Sequence, residues 1–241
     1  MLNVFVSGLE RQTGKTFIAA GAAAAMQSLS FNTCVYKPIQ TGAISLNGLK
    51  SSADVAYIKR IDPNIEVAAT YMLSSYESPF VGAYEDNLKI DIGTICAEYK
   101  ELSKSMDCGI VEGTNSISSP ILPDITELDL VKALSIPLVL VINPKVTSIN
   151  FAISALKYVK SEQVNLKGVI LNRHEKNSDN LEEKYFAQII KEFCDVQILG
   201  SVPDYGDLSG CSPEVIISNI INNIDLENMF GLKIAKLHRF V

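Results

Sequence analysis

The chain has 241 residues with 27 acidic against 21 basic side chains and a net charge of −6, so no basic stripe is available to displace counterions from nucleic-acid phosphates. Hydrophobic residues make up 47% of it, ample for a sizeable core, yet no apolar run reaches membrane-spanning length and no charged leader with a cleavage site opens it. A single α/β domain in the cytoplasm is expected, and Cys34, Cys96, Cys108, Cys194 and Cys211, with no C-x-x-C spacing, suggest neither a disulfide framework nor a zinc site.

From the N-terminus, residues 4–7 read as a buried strand and residues 8–14 as a loop held between two glycines. The small apolar run 18–26 then reads as a helix whose first turn carries Lys15 and Thr16. Backbone N–H groups and a positive helix end converge there, an arrangement that suits phosphate. Lys15 would reach the β- and γ-phosphates, and the Thr16 hydroxyl would ligate Mg2+, a hard ion that prefers oxygen. The spacing departs from G-x-x-x-x-G-K-[ST] by one extra residue between Gly8 and Gly14.

Residues 33–37 form a short strand ending at Pro38, and Gln40-Thr41-Gly42 opens a polar loop expected to run to Ser52. Residues 51–60 are helical, with Ser51 or Ser52 as N-cap and Asp54 in the first turn, where its charge suits the helix dipole. Asp62-Pro63-Asn64 ends that helix. An extended piece at 67–71, helices at 79–84 and 91–105, and a buried strand at 107–113 containing Glu112 follow. In the second half, helices at 125–134, 148–160, 180–193 and 213–224 alternate with strands at 137–143, 168–172 and 196–202. Continuous apolar strands, each followed by an amphipathic helix, predict a parallel sheet covered by helices on both faces, with ligand-binding groups at the carboxyl ends of the strands. Lys37, Glu112, Asn143, Asn172 and Pro203 fall at such ends. Residues 232–241, with Lys233, Lys236, His238 and Arg239, form a basic tail added to a domain spanning 1–231.

Lys37 lies just past a strand, where it is either a second ammonium for a transferring phosphoryl group or anionic acceptor, or a solvated strand-end lysine. Asp54 and Glu112 can each offer oxygen to the Mg2+ begun by Thr16; otherwise Asp54 is a helix-start charge and Glu112 a surface residue. Asn172 either reads a nucleobase edge with its amide or serves as a turn residue. His174 and His238 have no Ser, Cys or acidic partner at a diagnostic spacing and are expected at the surface, so no histidine-based triad is expected. Phosphoryl transfer relies on positioning and charge neutralisation, so an ATP-driven enzyme needs no such triad.

In order and at compatible spacing, Gly8-x5-Gly14-Lys15-Thr16, Tyr36-Lys37-Pro38-Ile39-Gln40-Thr41-Gly42, Ser52-Ala53-Asp54, Ser78-Pro79 and Val111-Glu112-Gly113 resemble the motifs of the dethiobiotin synthetase family of the P-loop NTPase superfamily, over nearly the whole chain. The resemblance implies ATP- and Mg2+-dependent closure of 7,8-diaminopelargonate and CO2 into dethiobiotin, through a phosphorylated carbamate. It implies that Lys15 and Lys37 hold the γ-phosphoryl group and the carbamate, that Thr41 donates a hydrogen bond to the carbamate, and that Thr16, Asp54 and Glu112 hold Mg2+. Gly8, Gln12, Thr13, Gly14, Phe17 and Glu112 would complete the ATP site, and Asn172, Pro203 and Asp204 the nucleobase pocket. Lys145-x-x-Ser148-Ile149-Asn150 resembles the stretch through which one subunit contacts the substrate of its dimer partner, which implies a homodimer with Ser148 and Asn150 as substrate contacts. Arg11-Gln12 and Thr114-Asn115-Ser116 stand where the family commonly has Thr-Glu and a glycine-rich turn. A switch ATPase of the chromosome-partitioning kind normally has a lysine near the loop start, where this chain has Glu10. The other readings are a related synthetase acting on another small carboxylate and a non-catalytic nucleotide-binding relative.

Overall fold

The computed structural model describes residues 1–46, 49–206 and 210–233. Strand β1 (Leu2–Gly8) passes through the glycine-flanked loop into helix α1 (Lys15–Ser28), and β2 (Thr33–Gln40) follows. A hairpin of β3 (Ile44–Leu46) and β4 (Leu49–Ser51) leads to α2 (Ala53–Ile61), capped by Ser52, whose hydroxyl accepts from the Val55 N–H at 3.2 Å. Then come β5 (Glu66–Met72), α3 (Pro79–Glu85), α4 (Ile92–Leu102) and β6 (Cys108–Glu112). A second hairpin, β7 (Pro120–Leu122) and β8 (Ile125–Thr126), precedes α5 (Glu127–Leu134) and β9 (Leu138–Ile142). The chain continues through α6 (Ile149–Ser161), β10 (Leu166–Asn172), α7 (Leu181–Cys194), β11 (Ile198–Val202), α8 (Pro213–Asn223) and α9 (Leu226–Phe230).

Among the described residues seven strands form one parallel sheet in the order β11-β10-β9-β1-β6-β2-β5, which puts β1 at its centre. Successive side chains of a strand point to opposite faces, and β1 uses both. Val4 and Val6 join one apolar layer with α1, α2, α8 and α9, while Phe5 joins the other with α4, α5, α6 and α7. Because both faces are covered, the central strands carry continuous apolar runs such as Val139-Leu140-Val141, all fully buried. Among the described residues no helix is long and apolar enough to cross a membrane. The five cysteines are free.

The expected elements are present, with four corrections. β2 does not stop at Pro38 but runs on to Gln40. Its last pairing with β6 is Tyr36 with Val111, so at Pro38 only β5 flanks the strand and the missing N–H breaks no ladder on the open side. The polar loop expected up to Ser52 holds the β3–β4 hairpin. The helix expected from residue 125 starts at Glu127, because Ile125 and Thr126 pair with β7 and Asp129 accepts from the Thr126 N–H and hydroxyl, both at 2.9 Å. His174 is buried, not at the surface: its Nε2 donates to the Glu183 carbonyl at 2.9 Å and its Nδ1 pairs with Ser201 Oγ at 2.7 Å. His238 and most of the basic tail lie outside the described residues.

Candidate active site

At the carboxyl end of the central strands, the loop after β1 curls around a cavity of about 440 Å³. Gly14 takes φ 90°, a left-handed conformation, and a Cβ there would lie 2.0 Å from the Asn172 amide nitrogen, so glycine alone fits. That amide donates to the Thr13 carbonyl at 2.8 Å and pins the loop to the end of β10. Lys15 is almost fully buried and donates to two backbone carbonyls, Glu10 at 3.1 Å and Asn115 at 2.8 Å. Burial pushes its pKa down, partly offset by the charges of Glu127 and Glu112. Carbonyls are weaker acceptors than phosphate oxygens, so this ammonium is placed to exchange them for an anion.

Opposite it, Lys37 projects from β2 with its side chain only 4% exposed. Its ammonium lies 2.8 Å from Asp54 Oδ2 and 2.8 Å from Glu112 Oε1. Burial disfavours the charge, but the two carboxylates outweigh it and hold the Lys37 pKa above its ordinary value. Asp54 is likewise opposed by burial, but Lys37 pulls its pKa below the usual carboxylate range. The Thr16 hydroxyl joins the cluster, 2.5 Å from Glu112 Oε1 and 3.4 Å from Asp54 Oδ1. Gln40 Nε2 donates to Asp54 at 3.1 Å. Asp54 and Glu112 are thus close enough to share one ion, and Glu112 Oε2 is buried without a hydrogen-bond partner. Among the described residues no group of three or more His, Cys, Asp or Glu is placed to hold a metal alone. The oxygens of Asp54, Glu112 and Thr16 make a hard donor set that fits Mg2+, which takes one or two carboxylates and completes its shell with phosphate and water.

Behind Thr114, which lines the cavity, lies Glu127, the first residue of α5 and buried. Its Oε1 accepts from Ser7 Oγ at 2.5 Å, and its Oε2 accepts from the Thr114 N–H at 2.6 Å and hydroxyl at 2.9 Å. Burial pushes its pKa up, against those hydrogen bonds. Gly113 is required by this contact, since a Cβ there would come within 2.1 Å of Glu127 Oε1. The N–H groups of Gly113, Thr114, Ser116 and Ile117 are all bonded within the protein, to Val6, Glu127, Ser119 and Gly8. This turn therefore forms a closed wall and not an open cradle of donors.

The AAA domain family (AAA_26) matches residues 3–212. The ATP-dependent dethiobiotin synthetase BioD of Nitrosopumilus maritimus (strain SCM1) is 30% identical over 95% of this chain and 99% of its own. The chain belongs to the dethiobiotin synthetase family. It is accordingly an ATP-dependent ligase with ATP as co-substrate. The BioD protein of Bacillus subtilis (strain 168) is 25% identical over 94% of this chain and 96% of its own. Solved structures similar to the chain include the MinC:MinD cell division protein complex of Aquifex aeolicus, at a TM-score of 0.63, 15% identity and 97% coverage of each chain. A ParA family ATPase from Chlorobium tepidum TLS gives 0.57 at 14% identity, covering 97% of this chain and 95% of its own. These likenesses are of fold alone.

Of the residues that the synthetase resemblance singled out, Gln12, Gly14, Lys15, Thr16, Lys37, Thr41, Asp54 and Glu112 line one cavity. Gly8 and Thr13 are buried behind it, and Phe17 packs into the core. Ser148 caps α6 by accepting from the Phe151 N–H at 3.3 Å, and neither it nor Asn150 lines the cavity of its own chain. Pro203 and Asp204 follow β11, where Asp204 accepts from Lys145 at 3.0 Å. The readings of Lys37 as solvated and Glu112 as a surface residue are overturned by their burial. Sequence reasoning missed Glu127, because Thr126 and Asp129 around it spell an ordinary helix start, and it missed Gln40 and Tyr76 as lining residues.

Proposed function

We propose that the protein makes dethiobiotin from 7,8-diaminopelargonate, CO2 and ATP, as a step of biotin biosynthesis. The observation that carries this reading is the pair of buried ammonium groups, Lys15 and Lys37, lining one cavity together with Asp54, Glu112 and Thr16. One substrate amine attacks CO2 and loses a proton, giving a carbamate. A carbamate oxygen attacks the γ-phosphorus and ADP leaves. The second amine then attacks the carbonyl carbon, phosphate departs, and a second proton is lost as the ureido ring closes.

Lys15 exchanges the Glu10 and Asn115 carbonyls for β- and γ-phosphate oxygens. Thr16, Asp54 and Glu112 would hold Mg2+, which when bound neutralises charge on the phosphates. Lys37 turns its ammonium to the carbamate, with the Thr41 hydroxyl donating a hydrogen bond beside it. A carbamate is a weak, unstable anion, so fixing it next to the phosphoryl group is where a gain in effective concentration arises. Gln12, Thr13, Gly14 and Phe17 shape the triphosphate end of the ATP site, and Asn172, Pro203 and Asp204, on the neighbouring strand ends, form its nucleobase side. The reading includes a homodimer, carried over from the resemblance of Lys145-x-x-Ser148-Ile149-Asn150, in which Ser148 and Asn150 reach the partner's substrate. The enzyme works in the cytoplasm, as a 1–231 domain with a basic extension.

The test is product formation. Purified protein given diaminopelargonate, bicarbonate and MgATP is expected to yield the ring-closed product by mass spectrometry, with one ADP per ring. ATP hydrolysis that ignores the diamine, with no ring-closed product, would count against the reading.

A further inference from the structure

Among the described residues three cations line the cavity: Arg11, Lys15 and Lys37. They differ in how firmly each is held. Lys37 sits between two carboxylates at 2.8 Å, and Lys15 between two carbonyls in a buried position. Arg11, on the same loop as Lys15, donates from Nη2 to the Tyr76 carbonyl and lies 3.4 Å from Glu77 Oε2, with the two side chains 45% and 65% exposed. An exposed pair of that length contributes little, and a neutral carbonyl is a poorer partner for a guanidinium than an anionic oxygen. The Tyr76–Glu77 turn does not depend on Arg11 alone, since Asn115 Nδ2 donates to the Glu77 carbonyl at 3.1 Å and the Gly42 N–H donates to the Ser75 carbonyl at 2.8 Å. Across the cavity, the 113–117 turn spends its N–H groups internally, apart from Asn115. That wall therefore offers an anion little from its backbone, and a charged side chain such as Arg11 is the group placed to add to the donors of the 8–16 loop.

We propose that Arg11 is a catalytic residue, a third cation of the reacting centre that leaves the Tyr76–Glu77 turn to bind the anionic oxygens of the carbamate and the phosphoryl group it receives. This rests on the reaction given above. The guanidinium presents a planar fork of donors, which matches two oxygens of such a group better than an ammonium does. Its role is to stabilise charge that redistributes during transfer, so its removal acts on turnover more than on nucleotide binding.

The experiment compares wild type, Arg11→Ala, Arg11→Lys and Glu77→Gln for ring-closed product formation and for MgATP affinity by calorimetry. Arg11→Ala is expected to lower kcat about 100-fold with little change in the MgATP dissociation constant, and Arg11→Lys to recover part of the loss. Glu77→Gln removes only the weak exposed pair and is expected to keep the wild-type kcat. Wild-type turnover in Arg11→Ala overturns the inference, as does a loss confined to MgATP affinity. An equal loss in Glu77→Gln overturns it too, because the guanidinium would then only fasten the turn. A wild-type protein that forms no ring-closed product instead removes the reaction on which the inference rests, and that outcome is seen before any variant is compared.

Discussion

A lysine side chain 4% exposed to solvent keeps its charge only if opposite charges repay its lost hydration, and Lys37 has two of them at 2.8 Å. Removing it leaves Asp54 and Glu112 facing each other without a counter-charge. Lys37→Ala is therefore expected to abolish product formation in the mass-spectrometric assay while calorimetry still detects MgATP, because Lys15 and the loop amides remain. Loss of both together would place Lys37 in nucleotide binding instead. The same cluster sets a pH window. Asp54 titrates below its ordinary 3.8, so its contribution to stability is present above that value and lost as pH falls through the depressed one. Lys37 titrates above its ordinary 10.5, so its contribution is present below 10.5 and lost as pH rises through the raised value. The stability difference between wild type and Asp54→Asn is thus expected to stay flat through the neutral range and to shrink in acid, as read from thermal unfolding at several pH values. A difference that grows in acid would contradict this. Much of this cluster was legible because Glu112 ends an apolar strand, Lys37 follows the apolar start of another, and Asp54 opens a helix. Their depth was not, since it follows from Lys37 lying between Asp54 and Glu112, which are 17 and 75 residues away from it in sequence, a convergence no local pattern announces.

Glu127 ties three elements together: the first turn of α5, the end of β1 through Ser7, and the wall of the cavity through Thr114. Glu127→Ala leaves the Thr114 N–H without its acceptor and the Ser7 hydroxyl with only the Gly8 carbonyl at 3.5 Å, and is expected to cost about 2–3 kcal/mol in urea unfolding. Glu127→Gln keeps an acceptor for the Thr114 N–H and is expected to retain most of that stability. Burial raises the Glu127 pKa above its ordinary 4.5, so the favourable contribution of this group is complete below 4.5 and lost as pH rises through the raised value. Wild type should therefore compare best with Glu127→Gln in acid and less well near neutrality. The element boundaries illustrate what pattern can resolve. The Ser52 cap and the alternation of strand and helix were readable from residue type, whereas β7 and β8 are too short to stand out and Glu127 looked like any acidic helix start.

At the scale of the molecule, the parallel sheet was legible because strands covered on both faces must read as unbroken apolar runs, and their carboxyl ends then fall on one rim. The closed 113–117 wall was not, because it follows from hydrogen bonds to Val6, Gly8, Ser119 and Glu127, three of which are far from it in sequence. That rim brings two ammonium groups and a Mg2+-ready donor set to one cavity, and the chemistry proposed there leaves an isotopic trace. With 18O-labelled bicarbonate, diaminopelargonate and MgATP, assayed before the label exchanges with water, each phosphate released is expected to carry one 18O inherited from the carbamate. Unlabelled phosphate, released alongside product or without it, would show that no carbamate oxygen attacked the γ-phosphorus and would contradict the account.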